Sequence, residues 1–229
     1  MTYSDTLKAR LPLSLYVHIP FCETKCPYCD FNTYANIDSL ISGYVTALNR
    51  EVRLWGDILG HPAVATVFIG GGTPSYLPED CLVGLMQSID EAFEIRSGAE
   101  VTLEANPDDV NKEKLSAYLK VGVNRLSIGV QALEDRLLTI LGRRHSAADA
   151  ANAYHIAREA GFENVNLDLM YGLPHQSIGD WDGTLSAVSA LAPDHVSMYC
   201  LTLESGTPME QWVGTGSLPN PDPDLAADM

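Results

Sequence analysis

The sequence has no long apolar run. No stretch approaches the roughly 18 apolar residues of a membrane span. The opening MTYSDTLKARLPLSLYVHIPF also lacks the basic segment and apolar core of a secretion signal. Both absences point to a cytoplasmic protein with no integral membrane segment. Basic residues are scarce: 14 Lys and Arg stand against 30 Asp and Glu, for a net charge of -16. That balance excludes binding nucleic acid or an anionic membrane through a general field, which needs clustered cations. Cysteines are few and odd in number, five in all, with three of them between positions 22 and 29. This argues against a disulfide framework, and reduced thiols are expected. What is present is an ordinary globular balance, 46% hydrophobic and 19% charged, in 229 residues. That suffices for one large domain with its own core.

Six short β-rich runs recur along the chain. They are SLYVHIP (14–20), ATVFIG (65–70), EVTLEA (100–105), RLSIGV (125–130), NVNLDLMYG (164–172) and HVSMYCL (195–201). The last two read as apolar nearly throughout, as parallel strands covered on both faces should. Between the runs lie amphipathic helical segments, such as 39–55 and 146–161, the latter with Ser146 suited to an N-cap and Gly161 to a C-terminal stop. Alternation of strand and helix implies right-handed crossovers and an α/β fold. Six units are too few for a closed eight-stranded barrel, so an incomplete (β/α)6 TIM-like barrel is expected: a parallel sheet with outer helices. A doubly wound sheet is the alternative. Residues 1–213 are expected to form this core. Residues 214–224, GTGSLPNPDPD, read as a linker. The closing LAADM reads as the start of a helix capped by the preceding Asp and Pro, with nothing after it to pack against. Residues 214–229 are accordingly expected to be a linker and the beginning of a further, C-terminal domain.

Cys22, Cys26 and Cys29 form C-x3-C-x2-C in FCETKCPYCDF, directly after the first strand, where a barrel places its active-site loops. Iron–sulfur cubanes are normally held by four thiolates, so three close cysteines without a fourth nearby leave one iron open to another ligand. A zinc site with His18, Asp30 or Cys200 as fourth ligand is the competing reading. Gly70 to Pro74, GGGTP, follow the second strand, where glycines let a backbone approach a ligand closely. Cys81 and Cys200 lie outside the motif and read as small hydrophobes.

With its cysteine motif, YVHIPFCETKCPYCDF, GGGTPSYL, SIGVQ and DLMYGLP, the chain resembles the coproporphyrinogen III oxidase-like branch of the radical SAM superfamily. The match runs across nearly all of the chain. The resemblance implies a [4Fe-4S] cluster on Cys22, Cys26 and Cys29, with S-adenosylmethionine (SAM) chelating the open iron. In that family one electron cleaves the S–C5′ bond of SAM to give a 5′-deoxyadenosyl radical. It further implies SAM contacts from Tyr16, from Tyr28 as the aromatic shielding cluster and adenine, and from Gly71, Gly72 and Thr73 in the amino-group loop. Glu104 in LEANP, Gln131 in SIGVQ, Arg143 in LGRRH and Asp168 in NLDLMYGLP complete the implied set. Taken without the resemblance, Tyr16 reads as core packing, Glu104 as a rim residue, Arg143 as a surface cation and Asp168 as a loop cap.

That branch includes oxygen-independent coproporphyrinogen III dehydrogenase and the HemW-type heme chaperones. The dehydrogenase motif continues C-x3-C-x2-C-x-C, whereas Phe31 stands where the extra cysteine would be. The dehydrogenases also carry a longer segment ahead of the first strand. Both departures favour the chaperone reading, which implies heme as a further ligand, hemoproteins as acceptors, and heme-handling determinants in a C-terminal part. A flavodoxin- or ferredoxin-like electron donor is implied by either reading. Oxidative decarboxylation of porphyrinogen propionates is the enzymatic alternative, and a truncated barrel without independent function is a third.

Overall fold

The computed structural model describes residues 12–229. Six strands form one parallel sheet: β1 (Leu13–Ile19), β4 (Ala63–Gly71), β5 (Glu94–Ala105), β6 (Arg125–Gln131), β7 (Asn164–Tyr171) and β8 (His195–Cys200). A separate two-residue ladder pairs β2 (Phe21–Cys22) with β3 (Tyr34–Ala35). Order in the large sheet follows order in the chain, and every pairing is parallel. A doubly wound sheet would reverse direction at a switch point. This sheet does not, and its first and last strands do not pair with each other, so it is an open six-stranded barrel segment. The fold is α/β, as expected.

Helices α1 (Ile41–Leu59), α2 (Glu79–Ala92), α3 (Lys112–Lys120), α4 (Asp135–Ile140), α5 (Ala147–Ala160) and α6 (Ile178–Leu191) fill the crossovers. Their boundaries have local causes. Ser146 accepts from the Asp149 amide while Asp149 reaches back to the Ser146 amide, a capping box that starts α5, and Gly161 ends it at φ 107°. Ser177 and Asp180 repeat that box at α6.

The main core lies between sheet and helices. Val17, Ile69, Leu103, Leu126, Ile128, Val165, Leu167 and Leu169 pack with Val45, Leu82, Leu85, Ile89, Leu115, Tyr118 and Tyr154 from the helices. The residues between them, including Glu104, Ser127, Asn166 and Asp168, occupy the opposite, concave face. NVNLDLMYG is therefore not apolar on both faces: β7 alternates. β8, at the free edge, is largely exposed, with Met198 and Tyr199 at 54% and 55%.

One strand boundary is corrected. β5 begins at Glu94 rather than at 100, because Glu94 and Ile95 pair with Ala63 and Val64 before an irregularity in the register. The exposed Arg96, Ser97 and Gly98 conceal that first half from any hydrophobic pattern. The closing segment forms α8 (Pro223–Asp228) after α7 (Pro208–Gly214), as the capping residues lead one to expect, and it packs back on earlier parts of the chain. Asp222 caps α8, Trp181 Nε1 donates to the Met229 carbonyl at 2.9 Å, and Met229 packs against the main core. Among the described residues no helix is long and apolar enough to cross a membrane.

Candidate cofactor site at the mouth of the barrel

The C-terminal ends of β4, β5, β6, β7 and β8, with the cysteine loop that follows β1, open on one cavity of about 390 Å³. Its first wall is the cysteine loop. The β2–β3 ladder ties the root of this loop by pairing Cys22 with Ala35, and the Thr73 amide donates to the Phe21 carbonyl at 2.8 Å. Within the loop, Lys25 Nζ donates to the Phe31 and Thr33 carbonyls, both at 3.1 Å, so its cation serves as an internal brace. Cys22, Cys26 and Cys29 all line the cavity as free thiols. Thr73 Oγ1 donates to Cys22 Sγ at 3.4 Å and Arg143 Nη1 to Cys26 Sγ at 3.5 Å. Burial pushes the Cys22 thiol up, against the opposing hydrogen bonds of Thr73 and Thr33.

Tyr28 is held from below by a second apolar cluster built of Leu137, Leu138, Leu141, Met170, Leu201 and Met209. Met209 also donates its amide to the Pro27 carbonyl at 3.0 Å, so α7 seats directly on the cysteine loop. Burial raises the Tyr28 phenol well above its ordinary range, and Cys26 adds to that.

Gly71 and Gly72 form the next wall with Gly70 behind them, each a glycine for a steric reason. A Cβ at Gly70 would lie 2.7 Å from Glu104 Oε2, and one at Gly72 2.7 Å from the Phe21 carbonyl oxygen and 3.1 Å from Cys22 Sγ. Gly71 has φ 115°, and a Cβ there would collide with the His18 ring. Substitution at Gly71 would thus collide first with His18, whose ring is fixed by Tyr16 OH and the Asn32 carbonyl, both at 2.9 Å.

Glu104 accepts the Gly71 amide at 3.0 Å. Burial pushes its carboxyl up to about 7, the Gly71 amide opposes the rise and nearby Asp168 adds to it. Asp168 is oriented by Ser127 Oγ and Asn166 Nδ2, each donating at 2.8 Å. Burial raises Asp168 as well, against those hydrogen bonds. Gln131 has φ 69° beside an irregularity in the register at Gly129, which turns its side chain towards the cavity. Arg143 is no surface cation: Nη2 donates to Asn106 Oδ1 at 2.6 Å and to the Gly129 carbonyl at 2.9 Å. Its Nε is buried without a partner.

Of the residues singled out from sequence, Cys22, Cys26, Cys29, Tyr28, Gly71, Gly72, Thr73, Glu104, Gln131, Arg143 and Asp168 line this cavity together. Tyr16 does not. It is 62% exposed on the concave face, stacked on Phe68 and bonded to His18, so it is neither core packing nor part of the cavity wall. Cys200, given no role, lines the cavity too. Asn106, Ser127, Asn166 and Met209 were not foreseen. Ser127 and Asn166 carry a usable signal, standing two residues before Gly129 and Asp168 on inward-facing positions. Met209 carries none.

The sequence model of the Radical SAM superfamily matches residues 16–188. This chain belongs to the radical SAM superfamily. Among curated relatives it is 42% identical over 217 residues to the heme chaperone HemW of Bacillus subtilis, covering 94% of this chain and 57% of that one. It is 41% identical over 218 residues to the mitochondrial radical S-adenosyl methionine domain-containing protein 1 of Bos taurus, covering 94% and 49%. The solved Escherichia coli coproporphyrinogen III oxidase (HemN), a radical SAM enzyme, superposes with a TM-score of 0.87 at 31% identity, covering 97% of this chain and 52% of that one. The chain spans about half the length of the curated relatives it matches.

Membership of the radical SAM superfamily implies a [4Fe-4S] cluster and SAM, and the residues present fit both. Three thiols of one loop face one cavity, with the fourth iron position left to a ligand there. Of the fourth ligands a zinc ion would need, His18 has both ring nitrogens engaged, while Asp30 and Cys200 line the cavity. The orphaned Arg143 Nε and the Glu104 carboxyl offer a buried cation and an ionisable acid to an amino-acid ligand.

Proposed function

We propose that Cys22, Cys26 and Cys29 hold the cluster, that SAM occupies the cavity above it, and that the chain is the radical SAM part of a HemW-type heme chaperone. The observation carrying this reading is the convergence of eleven residues, drawn from β4, β5, β6 and β7 and the loops that follow β1, β4 and β6, on one cavity. Arg143 and Glu104 take the carboxylate and ammonium of SAM, Gly71 and Gly72 admit its backbone-like end, Asp168 and Gln131 face its ribose, and Tyr28 shields the cluster. Held by Cys22, Cys26 and Cys29, a cluster would supply the electron for cleaving SAM. The protein's own part is to bind, orient and keep water away.

Chaperone is preferred to dehydrogenase because Phe31, 66% exposed at the cavity edge, stands where the dehydrogenase motif has its extra cysteine. Curated heme chaperones at 37–42% identity point the same way. Heme, an acceptor hemoprotein and a flavodoxin- or ferredoxin-like donor are the partners this reading entails. The core of residues 1–213 supplies the cofactor chemistry, residues 214–229 lead towards a further domain, and the cytoplasm is the expected location.

Anaerobic iron and sulfide analysis with electron paramagnetic resonance tests the site. About four irons per chain and a reduced-cluster spectrum altered by SAM support it, and zinc without iron after reconstitution overturns it. Cys22→Ala, Cys26→Ala and Cys29→Ala should each abolish stable iron binding, since each removes one of three thiolates. Heme titration of the longer protein, set against a coproporphyrinogen conversion assay, then separates chaperone from dehydrogenase.

A further inference from the structure

Among the described residues Arg144, next to the cavity-lining Arg143, meets more carboxylates than any other cation. Its guanidinium side chain is 26% exposed and meets three carboxylates from two separate segments. One is Glu23, in the cysteine loop between Cys22 and Cys26. The others are Asp108 at 2.5 Å and Asp109 at 3.2 Å, in the turn after β5. That turn is itself fixed. Ser75 Oγ donates to Asp109 at 3.0 Å and accepts the Asn106 amide at 3.0 Å, and Lys114 Nζ donates to the Ser75 carbonyl.

Other parts of the cysteine loop have other anchors. Cys22 has Thr73, Cys26 has Arg143, Pro27 has Met209, and Tyr28 has the second apolar cluster. Residues 23–25 have no comparable hold. The Lys25 ammonium bonds within the loop, so among the described residues Arg144 is the one side chain that ties this stretch to the barrel. Only a planar, multiply donating cation can satisfy acids on several sides at once. Without it, three carboxylates would face one another in a chain already strongly acidic.

We infer that Arg144 is a positioning residue of the cysteine loop, clasping Glu23 to the Asp108–Asp109 turn and thereby fixing the approach of Cys22 to Cys26. The functional consequence rests on the cluster reading, whereas the clasp itself can be tested without metal.

The test is limited trypsinolysis of the metal-free, reduced chain, following cleavage of the Lys25–Cys26 bond by mass spectrometry. Arg144→Gln should speed this cleavage roughly two- to fivefold, the scale expected for a partly exposed ion pair. Arg144→Lys should fall in between. Glu23→Gln should speed cleavage as well, and the double variant should be no faster than Arg144→Gln, because both act through one contact. Wild-type cleavage in Arg144→Gln, or additive effects in the double variant, would overturn the clasp. If Arg144→Gln fails to fold, Glu23→Gln, which leaves Arg144 paired with the two aspartates, decides the question in the same assay.

In the reconstituted protein, Arg144→Gln should lose iron on exposure to air several-fold faster than wild type. Equal rates would overturn the positioning role. Failure of the wild-type chain itself to take up iron would sink the cluster reading, leaving the clasp to be judged by proteolysis.

Discussion

Leu167 and Asp168 are consecutive residues of β7 with opposite duties. Leu167, fully buried, faces the helices and packs in the main core. Asp168 faces the concave side, where Ser127 and Asn166 hold a carboxylate that burial disfavours as an anion. The same alternation runs through β6, where Leu126, Ile128 and Val130 face one way and Ser127, Gly129 and Gln131 the other. One face of the sheet supplies stability and the other consumes it. A site that must accept a charged ligand keeps polar groups desolvated before the ligand arrives, at a cost the convex core has to cover.

The comparison breaks most visibly at its stable side. Leu167→Ala removes a fully buried side chain and should cost about 2–5 kcal/mol in denaturant titration, with iron and SAM binding per folded molecule retained. Loss of cofactor binding without loss of stability would mean that the two faces are not separable.

The concave side should respond with the opposite sign. Glu104 has its folded-state pKa raised from 4.5 to about 7, so its protonated form is favoured by folding. The stability it contributes is therefore complete below about 4.5 and lost as pH rises through about 7. The displacement corresponds to about 3 kcal/mol above that range. Glu104→Gln keeps an acceptor for the Gly71 amide and should stabilise the empty protein by about that amount at pH 8, with the gain fading towards pH 4. SAM affinity should fall about tenfold or more, the worth of one charge-assisted hydrogen bond. In the unsubstituted chain SAM should bind more tightly as pH rises through about 7, because its ammonium favours the ionised acid. Calorimetric titration across pH checks both, and a Glu104→Gln variant less stable at pH 8 would remove the argument.

The convex face was the legible one. Apolar runs marked all six strands, and Ser146 and Gly161 marked α5, because burial against helices and capping are written in neighbouring residues. The cavity was legible only where a motif carried it: the cysteines, GGGTP and the strand-end Glu104, Gln131 and Asp168. Its supports were not. Asn166 acts on Asp168 within its own strand, but also on Ser127 in β6 at 2.7 Å, and Met209 reaches Pro27 from far along the chain. Such partners are fixed by three-dimensional closure, which no local pattern encodes. Tyr16 stands apart from the rest of the set: its ring lies on the concave wall beside His18, outside the residues that line the cavity.

The smallest effect sharpens the comparison most, because one substitution made on each side should change sign. Gly84 lies in α2 on the helical layer, and a Cβ there would meet nothing within 4 Å. Gly84→Ala should therefore stabilise by about 1 kcal/mol through helix propensity alone. Gly72, under the cavity, would place the same methyl group against the Ile19 and Phe21 carbonyl oxygens at 2.8 and 2.7 Å, both main-chain atoms with no rotamer to yield. Gly72→Ala should cost about 1–3 kcal/mol. Because its third contact is Cys22 Sγ, it should also weaken iron retention, which Gly84→Ala should leave unchanged. Paired denaturation curves and iron analyses of the two alanine variants decide this. Equal stability changes would mean that the cradle beneath Cys22 can shift freely, and the close fit of GGGTP to the cysteine loop would then lose its meaning.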